Sequence, residues 1–244
     1  MDFTLITCSY NTPEITLTML KSFSVLHSEK TKLLLMDNST NDETHELLTR
    51  YGINCCRNSG FEHRQGVELA FEKCETKYAL LVDTDIVFKK NVYDILENME
   101  KCDLKLVGTE CGDRGGLKLY TRIHPWFMFV DIGFVKEHGI KFCDIERMKL
   151  NGSGNFIEGS KETPDPNKRL YDIGSTFYED VKSAGGSIKN FQGIESYYRH
   201  YEGSSWHRNC EISALRSVGE QTWRKYQSEI DKFKEIDISN NFLT

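Results

Sequence analysis

The stretch that most constrains this chain is KYALLVDTDIVF, Lys77 to Phe88, where an apolar run from Tyr78 to Val82 meets Asp83, Thr84 and Asp85 without a break. A short apolar run bounded by charge fits a strand covered on both faces, because a strand with one wet face alternates polar and apolar residues. The segment is therefore read as a buried central strand ending in two carboxylates. If extended geometry persists that far, Asp83 and Asp85 project on the same side. Two anionic oxygen donors at a strand end suit a hard divalent cation, Mg²⁺ or Mn²⁺, that keeps positions open for phosphate oxygens. The pattern alone carries little: with 15 aspartates in 244 residues, about one Asp-x-Asp arises by chance. A solvated strand end or a helix N-cap is the plain alternative, so the context has to decide.

The context is a strand and helix alternation. Phe3 to Ser9 is rich in β-formers, and Thr12-Pro13 then supplies an N-cap and first-turn proline for a helix carrying Ile15, Leu17, Met19, Leu20, Phe23 and Leu26. A second strand, Lys32 to Met36, ends in Asp37-Asn38-Ser39, followed by a helix near Glu43 to Arg50 and a short third strand, Ile53 to Cys56. Gln65 to Cys74 has helical spacing and leads into the central strand. Further on, the pattern predicts a helix over 92–99, strands over 104–108 and 124–130, a helix over 131–138, a helix after Asp172, a strand over 187–191 and an amphipathic terminal helix over 212–233. Such alternation implies right-handed parallel βαβ units in one twisted sheet with helices on both faces. Ligands of these sheets sit at the carboxyl ends of the strands, and the polar sets Ser9-Tyr10-Asn11, Asp37-Asn38-Ser39 and Asp83-Thr84-Asp85 fall there together. The expected organisation is one α/β domain over residues 1–210 and a helical extension over 211–244. Residues 112–116 and 151–169 read as loops, the latter as either a surface loop or a lid over substrate.

Composition excludes several classes. A net charge of −6 leaves no global basic field for a nucleic-acid backbone. No stretch approaches the length of a membrane span, and the start, MDFTLITCSYN, lacks a basic region before its short apolar stretch. Eight cysteines (Cys8, Cys55, Cys56, Cys74, Cys102, Cys111, Cys143, Cys210) include no C-x-x-C pair, which predicts reduced thiols and a cytoplasmic location rather than a disulfide scaffold or structural zinc.

The order LITCSYNTPE, LLLMDNSTND, RNSGFEHRQGVELAFEKCETKYALLVDTDI, then an Asp before a helix ending in Ala-Gly, resembles a GT-A-fold nucleotide-sugar glycosyltransferase of the family 2 kind. The resemblance covers roughly residues 3–205, and its N-terminal half is the specific part. It implies a Rossmann-like GT-A domain that moves a sugar from a nucleotide-diphosphate donor to a hydroxyl of a glycan or other acceptor, with inversion and with a divalent cation. It places Thr7 and Tyr10 against the donor base, Asp37 as acceptor of a hydrogen bond from that base, and Asn58, His63 and Arg64 facing base, ribose or diphosphate. It places Asp83 on the ribose or the water shell of the metal, and Asp85 on the metal itself. The chain departs from the family where a Glu-Asp pair is expected and Tyr171-Asp172 stands.

Asp172 is nevertheless the best candidate for the general base of an inverting transfer, with capping of the following helix as the alternative and Glu158, Glu179 and Asp180 as rivals. The segment HYEGSSWH offers His200 as a third metal ligand, with His207 in reserve. Trp126 and Trp206 are candidates for stacking on an acceptor sugar, Trp126 having core packing as its alternative. The terminal helix can pack on the domain or mediate a homo-oligomer. Two other functions fit less of the pattern. A sugar-phosphate nucleotidylyltransferase needs a Gly-rich, basic turn after the first strand, which SYNTPEIT lacks, whereas a non-catalytic nucleotide-sugar or carbohydrate-binding module would keep the carboxylates without turnover.

Overall fold

Side chains of the central strands sort by parity into two apolar layers. The computed structural model describes residues 2–27, 30–58, 62–113, 117–151, 153, 168–204 and 213–243. In chain order its elements are β1 (Phe3–Ser9), α1 (Pro13–Leu26), β2 (Thr31–Asp37), α2 (Glu43–Arg50), β3 (Cys56–Arg57), α3 (His63–Lys73), β4 (Tyr78–Asp83), β5 (Ile86–Phe88) and α4 (Tyr93–Lys101). They continue as β6 (Leu104–Cys111), β7 (Arg122–Asp131), α5 (Ile132–Glu137), α6 (Ile145–Leu150), α7 (Ser175–Ser183), β8 (Ser187–Asn190), β9 (Tyr198–His200), α8 (Ser213–Phe233) and β10 (Phe242–Leu243).

Phe3, Leu5, Leu33, Leu35, Leu80, Val82, Phe127 and Phe129 face one layer, with Phe23 of α1, Leu48 of α2 and Leu96 of α4. Ile6, Cys8, Met36, Ala79, Leu81, Met128 and Val130 face the other, with Val67 and Phe71 of α3, Val135 of α5, Met148 of α6 and Phe177 of α7. Period-two alternation between two covered faces explains why these strands read as unbroken apolar runs. The main sheet runs β10-β2-β1-β4-β7-β6-β8, with β3 also on β2. Neighbours β1, β2, β3, β4 and β10 are parallel, as are β6 and β8, while β7 runs antiparallel between β4 and β6. This is the expected twisted, mainly parallel GT-A-like α/β sheet with helices on both faces.

Three local expectations are corrected. The segment 77–88 is two strands, because a turn at Thr84 and Asp85 ends β4 and β5 leaves the main sheet to pair with β9. The third strand is displaced to Cys56–Arg57, with residues 53–55 irregular. The chain after α8 turns back and adds β10 beside β2, with Phe242 opposite Thr31. α8 lies against α1: Tyr226 is fully buried, its hydroxyl donates to the Ile15 carbonyl at 3.1 Å, and Ile15, Val87, Tyr201, Tyr226 and Phe233 form a third apolar cluster. The expected lid lies largely outside the described residues, as do part of the 112–116 loop, Glu158, Trp206 and His207.

Candidate functional site

The carboxyl ends of β1 and β4 open into a cleft of about 390 Å³ bordered by Tyr10, His63, Asp83, Asp85, Arg122, Trp126, Asp172 and His200. How each side chain gets there differs. Asp83 is the last residue of β4, and Asp85 stands in the turn that follows rather than in extended backbone. His200 comes from the small ribbon: Ile86 and His200 face each other in antiparallel register, and the Tyr201 N–H donates to the Asp85 carbonyl at 2.9 Å. This places His200 Nε2 3.1 Å from Asp85 Oδ1. One ligand atom from each of Asp83, Asp85 and His200 lies within 4.8 Å of the others. His63, the first residue of α3, brings Nε2 to 3.6 Å from Asp83 Oδ1.

Electrostatics separate the two carboxylates. Burial pushes Asp83 up, but the neighbouring imidazoles of His63 and His200 outweigh it and hold the carboxyl below its ordinary range. Burial dominates at Asp85, helped by repulsion from Asp83, so its carboxyl lies above the ordinary range despite the adjacent His200 imidazole. His200 is lowered by its own burial and raised by more through the Asp85 bond and the charges of Asp85 and Asp83, for a net upward shift. Asp85 and His200 thus hold their protons more tightly than free side chains do, while Asp83 releases its proton more readily.

The cleft wall on β7 is made by an irregularity. Gly108 pairs with Met128 and Glu110 with Ile123, so two steps along β6 match five along β7. The extra residues include Pro125, which has no N–H to give to a ladder and is tolerated where pairing is broken. Pro125 and Trp126 consequently reach the cleft. The Trp126 ring stacks on His124 at 3.6 Å and lies 4.9 Å from the His200 ring. Trp126 is thus half-buried, packed on the first apolar layer and lining the cleft.

Asp172 also borders the cleft. Its Oδ2 lies 2.6 Å from Arg122 Nη2, and its Oδ1 accepts from the Ile173 N–H at 2.8 Å. The N-cap of α7 is Gly174, at φ 85°, with no side-chain cap bond. The carboxylate is therefore not a helix cap. The rivals are otherwise engaged: Glu179 accepts from the Tyr171 hydroxyl, and Asp180 takes both terminal nitrogens of Arg147.

Not every predicted residue forms the wall. Thr7 and Asp37 are completely buried, and Asp37 Oδ1 accepts from the Ser39 N–H while Asp37 Oδ2 and Thr7 Oγ1 have no partner among the described residues. Asn58 donates its N–H to the Asp37 carbonyl at 2.8 Å, and Arg64 Nε lies 2.6 Å from Glu62 Oε2. Arg122 is the participant that the sequence reading missed. An arginine opening a β-rich run has no local signature, and its partner is fifty positions away.

A family model described as Glycosyl transferase family 2 matches residues 4–150. Among solved structures, TarS residues 1–349 from S. aureus superposes with a TM-score of 0.52 at 13% identity, covering 93% of this chain and 72% of that one. The mannosyltransferase PcManGT from Pyrobaculum calidifontis, solved with GDP-Man and Mn²⁺, gives a TM-score of 0.49 at 11% identity, covering 95% of this chain and 85% of that one. No curated protein matches the chain.

Proposed function

We infer that this chain, which belongs to glycosyl transferase family 2, moves a sugar from a nucleotide-diphosphate donor to an acceptor hydroxyl with metal dependence and inversion. The observation that carries the reading is the convergence of Asp83, Asp85 and His200 at the mouth of a cleft that also holds Asp172 and Trp126. Two carboxylate oxygens and one imidazole nitrogen fit Mn²⁺ or Mg²⁺ with positions left for diphosphate oxygens. Bound there, the ion would neutralise charge on the leaving diphosphate.

The remaining steps belong to the chain's own groups. The orphan oxygen of Asp37 would accept from the donor base, with Thr7 against that base, once the buried strand end opens to it. Tyr10 would cover the base, with Asn58, His63 and Arg64 along the ribose and diphosphate. Trp126 offers an indole face to a sugar ring. Asp172, oriented by Arg122 and the Ile173 N–H, would take the acceptor proton as that oxygen attacks the anomeric carbon opposite the leaving group.

No described helix is long and apolar enough to cross a membrane. The described cysteines are free thiols, which supports a reducing, cytoplasmic setting. The test is a panel of labelled nucleotide sugars with Mn²⁺, Mg²⁺ or chelator, read by sugar release and by thermal stabilisation. A matching donor should be turned over only with metal. Stabilisation without any release, across the panel and with varied acceptors, would leave a binding module instead.

A further inference from the structure

Arg122 has more hydrogen-bonding capacity than the protein uses. It is 3% exposed and borders the cleft, and its ionic partner is Asp172, through Nη2. Its Nε and Nη1 have no partner among the described residues. A guanidinium carries five N–H donors in a rigid fork and does not lose its charge. Leaving such donors buried and unmet costs about 1–3 kcal/mol per group. A pair that served stability alone would be expected to be fully bonded. The other titratable groups bordering the cleft are Cys8, Tyr10, His63, Asp83, Asp85, Asp172, His200 and Glu202, so Arg122 is its one permanent cation among the described residues. In a chain of net charge −6, a buried cation placed beside the candidate base calls for a substrate group to meet it.

We propose that Arg122 is the receptor for an anionic group, phosphate or carboxylate, carried by the acceptor. The metal-binding cluster answers the charge of the leaving diphosphate, which leaves the guanidinium for the other substrate. Each unbonded nitrogen shares an edge of the guanidinium with Nη2, whose two N–H groups point to the two edges, so the edge not turned to Asp172 keeps two parallel donors for a phosphate or carboxylate. The arrangement couples binding to chemistry: an anion drawing on Arg122 loosens its hold on Asp172, the group required to accept a proton. The proposal rests on the cleft being the transfer site.

The test uses the full chain, treated with chelator so that the metal cluster cannot capture the probe. Inorganic phosphate, glycerol 3-phosphate and glycerol are titrated by calorimetry at constant ionic strength. Both phosphates should bind and glycerol should not. Arg122→Gln should weaken phosphate binding by about tenfold or more, and Arg122→Lys, which keeps the charge without the fork, should fall between. Asp172→Asn should tighten it by about tenfold, because a competing negative charge is removed. Unchanged binding in Arg122→Gln, or weaker binding in Asp172→Asn, overturns the proposal. Should Arg122→Gln not fold, the Asp172→Asn titration decides alone. Nucleotide-sugar turnover is measured separately: Arg122-dependent phosphate binding with no sugar release from any donor would remove the transfer reading and leave an anion site.

Discussion

His200 Nε2 sits 3.1 Å from Asp85 Oδ1 because Ile86 and His200 are cross-strand partners in the β5–β9 ribbon, outside the main sheet. The ribbon has only three residues per strand, so this contact depends on its anchors. Phe88 and Tyr198 supply them, both packed in the apolar layer with Phe127. A cluster assembled from separate segments and fixed by packing is preorganised, as the proposed cation site requires.

Asp85→Ala should therefore abolish metal-dependent turnover while the protein stays folded. Loss of an outer-shell partner typically costs about 10–100-fold in metal affinity or activity, and loss of a ligand should exceed that. Because burial opposes the charged form of the Asp85 carboxyl, its removal should change the thermal midpoint of chelated protein little at about pH 8, above the range where the His200 proton contributes most. Mn²⁺ titration and circular dichroism check both halves. Full activity in chelator-treated wild type would end the metal assignment.

The upward shift of His200 makes a signed prediction for pH. Folded, metal-free protein binds this proton more tightly than the unfolded chain, whose histidine keeps a value near 6.5. The stabilisation is complete below pH 6.5 and is lost as pH rises through the higher folded value. Metal binding runs the opposite way, since the imidazole must be neutral to ligate. In chelated protein, the midpoint difference between wild type and His200→Gln should shrink from pH 6 to pH 8, at about the range where an ordinary or raised histidine titrates. Mn²⁺ affinity of wild type should rise over the same range. A midpoint difference that grows with pH would contradict the shift.

The frame was legible because its signals are local. Thr12-Pro13 opens α1, Glu43 to Arg50 is α2 as read, and apolar runs with polar ends mark β1, β2 and β4. The site was legible only in part. Asp83, Asp85 and Asp172 stand at strand or helix ends where polar residues announce themselves. Strands β5 and β9 are too short for any periodicity, so His200 was placed by its loop-like neighbours rather than by its pairing. Pro125 inside HPWFMFV was the one visible trace of the β7 irregularity that turns Trp126 into the cleft. The Arg122–Asp172 pair joins two distant segments and leaves no pattern in either.

Gly108 is the position where that irregularity is most exposed to test. A Cβ there would run into Ile123 Cγ2 and meet the Phe127 carbonyl oxygen at 3.1 Å. Gly108→Ala should cost about 1–3 kcal/mol, the usual range for overpacking, with turnover per folded molecule falling too as the Trp126 wall shifts. Chemical denaturation and donor turnover read the two effects. A neutral substitution would show that the strand adapts freely.

Tyr226 tests whether α8 is part of the folded body. Tyr226→Phe removes the bond to the Ile15 carbonyl and should cost about 1 kcal/mol. Tyr226→Ala opens a cavity among Ile15, Val87, Tyr201 and Phe233 and should cost about 3–5 kcal/mol, as for other large aromatic truncations. Equal, small effects from both would mean that the helix detaches at little cost.

Asp172→Asn separates chemistry from structure at the candidate base. Transfer should slow by about 10²-fold or more, the contribution expected of a positioned proton acceptor, with donor affinity unchanged. Stability should fall as well, because the amide cannot neutralise a guanidinium that is 3% exposed. Stranding one member of a fully buried pair costs about 3–5 kcal/mol, but partial exposure of the other discounts this to about 2 kcal/mol, Asp172 being 26% exposed. Rates must therefore be compared per folded molecule. The double change Arg122→Met with Asp172→Asn removes the stranded charge and should recover stability, which would assign the stability loss of Asp172→Asn to the unpaired guanidinium. Product from the wild type should show an inverted anomeric centre by NMR. Near-normal turnover in Asp172→Asn would shift the role to Glu158, since Glu179 and Asp180 are held by Tyr171 and Arg147. A retained anomeric configuration would instead dispense with a base of this kind altogether.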